Sequence, residues 1–355
     1  MKNRPYYLEM AASGARVPVA TDLVLRQRPD PEAVVLDGKR LAEVVMQAAD
    51  TYQTLLAFPV MDLMLEKAAL LGLLGIGEDP ETYHLAPDSH FGLVNRLQSN
   101  LAKPLPARMQ ANLEAIRVIA QRGPPRYIPM GMSIGPVSLM TKLLADPITA
   151  LFMAGSGATA TEDEDVRMLD MAGELALAMV LRYVEAQIDA GASAVFIAEP
   201  AANLAYFSPR QIESGSDVWN RYVMTGNRRI AELLLQRGVD LIFHCCGELS
   251  DPMVQSFGTL APAILSLGGS RKLWEDAALV RADTVLYGNL PTKLFYSDEA
   301  MPDEKVASLT CQLLRKMRDV KHPFILGSEC DVLSVPGSEA TIKRKTDVML
   351  HCSCP

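Results

Sequence analysis

The chain has 355 residues, 49% of them apolar and 21% charged, and carries a formal net charge of −8. That composition excludes a disordered chain, and no basic cluster of the kind nucleic acid requires is present. The six cysteines are too sparse for a disulfide framework, and neither an apolar leader nor a bilayer-length apolar run occurs, so the expectation is a cytoplasmic protein without membrane contact.

Short apolar runs recur along the chain, each followed by turn residues and then a helical pattern. They lie at Arg16–Ala20, Leu55–Val60, Tyr127–Ser133, Ala194–Pro200, Leu241–Phe243, Ala263–Gly269, Thr284–Asn289 and Phe324–Gly327. Nearly continuous apolar strands need cover on both faces, so eight of them between helices predict an α/β fold, a single (β/α)8 TIM barrel. We expect one domain over residues 1–355, with residues 1–50 supplying an N-terminal helical extension and the first strand and helix. A two-domain doubly wound fold is the alternative, weakened because no Gly-x-Gly-x-x-Gly follows an early strand. Among the helices, Thr161 with Glu164 predicts a capping box, and the helix it opens should reach about Ala190 and stop at Gly191. Further helices are expected after Pro209 and after Pro302.

In such a barrel the reactive groups gather at the C-terminal ends of the strands. His244 and Cys246 close the run Val239–Phe243, and alternation along a strand points both to one face, with Cys245 on the other. Imidazole and thiolate on one face are two thirds of a catalytic zinc site, and Cys330, just past another strand, is the third candidate ligand. The alternative is a buried histidine among small buried cysteines. Glu199 also ends a strand: a fourth ligand or general base, or else an outer acceptor or the cap of the next helix. Asp62 offers a substrate contact or a helix N-cap. Asn289 suits a turn. The tail His351-Cys352-Ser353-Cys354 holds ligand types, but a frayed terminus is a poor place for a preorganised site. Cys311 reads as core within a helix, and His84 and His90 as surface residues.

These pieces together resemble the uroporphyrinogen decarboxylase superfamily, and within it the zinc-dependent corrinoid methyltransferases, which include methylcobalamin:coenzyme M and O-demethylase methyltransferases. The resemblance rests on Phe58–Leu63, Gly135–Leu139, Gly191–Val195, His244–Gly247, Leu286–Leu290 and Ile325–Asp331. It implies Zn²⁺ on His244, Cys246 and Cys330, with Glu199 and Asp62 as catalytic candidates. It also implies a methyl-corrinoid (cobalamin) carried by a separate corrinoid protein, and as substrate either a methyl ether or methoxyarene donor or a thiol acceptor. Barrels of this kind often pair, so a homodimer is an open alternative. Two departures stand out. The arginine-rich N-terminal motif of the decarboxylases is missing from Met10–Arg16, and Glu199 stands where many relatives have aspartate. The rival reading, a metal-free decarboxylase on another carboxylated substrate, would call on Asp62 with Arg16 or Arg126.

Overall fold

The computed structural model describes residues 3–86, 92–122 and 126–354. Eight parallel strands form one curled sheet: β1 (Arg16–Val17), β2 (Leu56–Ala57), β3 (Ile128–Ile134), β4 (Ala194–Ala198), β5 (Asp240–Cys245), β6 (Ile264–Leu267), β7 (Val285–Leu290) and β8 (Phe324–Ser328). Each of the eight apolar runs contributes one. The order is β1-β8-β7-β6-β5-β4-β3-β2, consistent with a TIM barrel. Among the described residues no ladder joins β1 to β2. The seam between them is closed instead by Thr21 Oγ1, which donates to Phe58 O at 2.6 Å, and by Val17, Val19, Leu56 and Phe58 meeting in one buried cluster.

Alternation sorts the strand residues into two cores. Met130 and Met132, Ala194, Phe196 and Ala198, Ile242, Ile264, Tyr287 and Ile325 pack inside the curl. Their neighbours Val195, Ile197, Leu241, Phe243, Cys245, Leu265 and Leu286 face the helical layer. Both faces are apolar because both are covered. The N-terminal end of the curl is stoppered by the helix Arg4–Ala12, which buries Tyr7 and Met10 in the inner cluster. Asn3 N and Tyr7 Oη both donate to Asp240 Oδ2, at 3.0 and 3.2 Å, tying that helix to the first residue of β5.

Three local expectations are corrected. The long helix runs Glu164–Asp189, and Asp163, not Thr161, caps it by accepting from Val166 N at 3.0 Å. An acidic cap two residues later shares the helix-dipole stabilisation that the Glu162–Asp165 run offers. The helix expected after Pro209 is present and short, ending at Glu213, and a wide turn, Trp219–Met224, leads into Thr225–Gln236. Cys311 is not core. It lies half-buried on the helix Asp303–Val320 and is disulfide-bonded to Cys354. The tail beyond the last helix, Glu339–His351, is therefore clamped rather than frayed. His84 is exposed, and His90 lies outside the described residues. No single helix among the described residues is long and apolar enough to cross a membrane.

Candidate metal centre

β5 carries His244 inward and Cys245 outward, as strand alternation requires. The imidazole is 2% exposed and lies against the Phe196 ring, 5.3 Å between centroids. Cys246 follows the strand, and Cys330 stands two residues beyond β8, both half-buried. One ligand atom from each of His244, Cys246 and Cys330 lies within 4.8 Å of the others. The His244–Cys246 pair and the distant Cys330 thus meet at the C-terminal ends of β5 and β8. Gly268 allows the approach of the neighbouring loop, since a Cβ there would stand 2.5 Å from Cys246 O.

The electrostatics favour ligation. His244 Nδ1 is 2.8 Å from Ser266 Oγ, on the paired strand position of β6, whereas Nε2 is buried without a hydrogen-bond partner. Ligation through Nε2 needs the proton on Nδ1, where the serine oxygen can accept it. The Cys246 thiol is pushed far below its ordinary range, chiefly by a hydrogen bond from Cys330, against burial, with His244 and Lys293 adding to the effect. Cys330 moves up correspondingly, because it holds the proton shared with Cys246 and is buried. The pair thus favours thiolate at Cys246, and a bound cation would favour it at both sulfurs. A buried, unpartnered imidazole nitrogen beside two sulfurs fits zinc.

The residues around this trio fasten it. Glu329 accepts from Gly269 N at 3.1 Å and Lys293 N at 3.4 Å, joining the loops after β6, β7 and β8. Asn289, assigned to a turn from sequence, is buried and donates to Gly268 O (2.7 Å) and Arg271 O (2.8 Å). Burial would lower the Lys293 pKa, but Cys246, Cys330 and Glu329 outweigh it, so the ammonium is held charged beside the sulfurs. Ser266 and Lys293 were not legible as site residues. A lone serine in an apolar strand gains meaning only through its register with His244, and Lys293 sits in a short turn with no pattern of its own.

Glu199 is not brought into the cluster. Its carboxylate is completely buried and accepts from Val137 N (3.1 Å), Ser138 N (2.9 Å), Ser138 Oγ (2.7 Å) and Asn227 Nδ2 (2.9 Å). It thereby occupies the N-terminal end of the helix Pro136–Leu143, where backbone N–H groups and the dipole favour an anion. Burial alone raises its pKa, and these donors oppose that rise. Asp62 also stands apart. Its Oδ1 accepts from Met64 N at 3.0 Å, an Asx turn leading into the helix Leu65–Leu74. Beside it, Glu66 is pushed up to about 7 by burial, despite hydrogen bonds from Ser133 Oγ and Ile134 N. The two arginines considered for a decarboxylase are engaged elsewhere: Arg16 with the C-terminal tail, Arg126 with Asp50 and Tyr127.

The model of the uroporphyrinogen decarboxylase (URO-D) family matches residues 20–340. No curated protein matches the chain. Among solved structures, a methyltransferase from Methanosarcina mazei has a TM-score of 0.65 and covers 97% of each chain at 16% identity, a likeness of fold. Because the family model spans most of the sequence, this chain belongs to the uroporphyrinogen decarboxylase family.

Proposed function

We propose that this protein is a zinc-dependent methyltransferase that moves a methyl group between a corrinoid, carried by a separate protein, and a small substrate. The substrate is either a methyl ether or methoxyarene donor or a thiol acceptor. The observation that carries this reading is the unpartnered, buried Nε2 of His244 beside the Cys246 and Cys330 sulfurs at the strand ends. The fold shared with a methanogen methyltransferase supports it. So does the engagement of Arg16 and Arg126 elsewhere, which leaves the decarboxylase alternative without the cations named for it.

His244, Cys246 and Cys330 would hold the zinc, leaving its fourth position for substrate or water. Zinc there supplies the Lewis acidity that favours a deprotonated thiol or an oxygen leaving group, and the corrinoid supplies the cobalt that gives or takes the methyl group. The chain's own part is to orient and exclude. Ser266 fixes the imidazole tautomer, and Phe196 with Phe58 walls the inner side against water. Lys293 sets a positive charge beside the ligands, which suits a substrate that becomes anionic as it reacts. We assign Glu199 to positioning, since four donors already hold its carboxylate, and Asp62 to contact with substrate from the end of β2.

Metal analysis of wild type and Cys246→Ser, with methyl transfer assayed from methylcobalamin to thiols and from aryl methyl ethers to cob(I)alamin, tests the proposal. The expected result is about one zinc equivalent lost in the variant, together with whichever transfer the wild type performs. A wild type in which zinc does not depend on Cys246 and neither transfer occurs would overturn it.

A further inference from the structure

A second group of thiols lies away from the strand ends. Cys311 projects from the helix Asp303–Val320, and Cys352 and Cys354 follow the helix Glu339–His351 that packs against it. The three sulfurs lie within 4.8 Å of one another, and all three residues are half-buried. Cys352 leaves the helix (φ −60°, ψ 136°), and the short tail brings both its thiols to Cys311. An open cleft lined by Arg16, Thr51, Tyr52, His351 and Cys352 gives access from solvent.

Arg16 organises this group. Its Nη1 donates to the carbonyl oxygens of Met349 (3.1 Å), Leu350 (3.2 Å) and Cys352 (2.9 Å), the orphan acceptors of a helix end. The same guanidinium lies 3.5 Å from Cys352 Sγ and 3.8 Å from Cys354 Sγ. N–H donors aimed at sulfur are the usual outer support of a sulfur metal site. The charges also match: three thiolates with one divalent cation leave a single negative charge, which Arg16 balances. A plain disulfide would need neither the third sulfur nor the arginine.

We propose that Cys311, Cys352 and Cys354 form a second zinc site in the reduced chain, with Arg16 as its outer donor, and that the Cys311–Cys354 disulfide is the oxidised, metal-free state of that site. Tetrahedral zinc separates its sulfurs by roughly 3.8 Å, a spacing within reach of these three thiols but closed to a bonded pair. Oxidation by a small-molecule disulfide balances. One cysteine thiolate attacks it and expels a thiolate, and the second cysteine displaces the other thiolate from the mixed disulfide. Two electrons pass to the small molecule and the zinc leaves. This inference does not depend on the function proposed above, because it concerns other ligands.

The test uses a Cys246→Ser/Cys330→Ser chain, in which the strand-end ligands are removed, reduced with a phosphine under anaerobic conditions and loaded with zinc or cobalt(II). The expected result is about one metal per chain with a thiolate-to-cobalt absorption band. Both should disappear when Cys352→Ser is added, and again when the parent is treated with a small disulfide. A companion measurement on the otherwise native chain removes any dependence on how the double variant folds: reduction should raise zinc uptake by one equivalent, and Cys352→Ser should abolish only that increment. No uptake on reduction, or uptake that ignores Cys352, would overturn the proposal.

Discussion

The two thiol groups of this protein are held in opposite ways. At the strand ends, His244 and Cys330 take their positions from β5 and β8, whose backbones are fixed by ladders on both sides. In the tail, Cys352 and Cys354 have no ladder, and their geometry depends on one arginine side chain and on Cys311. The first arrangement is rigid because the whole sheet must deform to move a ligand. The second can open by releasing a few contacts, which suits a site that changes state.

Substitution should separate the two. The largest effect belongs to Cys246→Ser. It should abolish methyl transfer, a loss greater than the 10- to 100-fold typical of outer-shell changes, yet leave the Cys311–Cys354 bond intact by mass spectrometry of non-reduced peptides. Glu199→Ala should come next. It strands two backbone N–H groups and the Ser138 and Asn227 side chains at the buried start of the helix Pro136–Leu143, at a cost of about 3–5 kcal/mol by denaturant unfolding. Zinc per folded chain should stay the same, and a proportional loss of zinc would return Glu199 to the ligand set. Ser266→Ala should weaken zinc retention 10- to 100-fold in competition with a chelator, with little change in unfolding free energy. Arg16→Lys should be the mildest. A lysine cannot serve three carbonyls and two sulfurs at once, so the C-terminal helix should lose about 1 kcal/mol, read as faster amide exchange near Met349, while strand-end zinc is unchanged.

The same contrast explains what could be read from sequence. All eight strands were legible because a strand covered on both faces is an unbroken apolar run. The His244–Cys246 pairing followed from alternation alone. Cys330 was reachable because it too ends such a run. The role of Glu199 was not, since the N–H groups that claim its carboxylate lie more than 60 residues earlier, at Val137 and Ser138. Nor was the tail cluster. Cys311 stands 43 residues from Cys354 on a different helix, and only packing of the two helices brings them together.

The unladdered seam between β1 and β2 bears on how the chain is made. Among the described residues the ladder partner of β1 is β8, so the first strand synthesised pairs with the last. While the chain emerges, β2 to β7 can assemble in order, each on its predecessor, but β1 has no ladder partner until Phe324–Ser328 is complete. The helix Arg4–Ala12 faces a shorter delay, because its anchor Asp240 arrives with β5. Nascent chains stopped after β5 but before residue 324 should therefore protect Arg4–Ala12 yet leave β1 open to protease until the final strand is released from the ribosome.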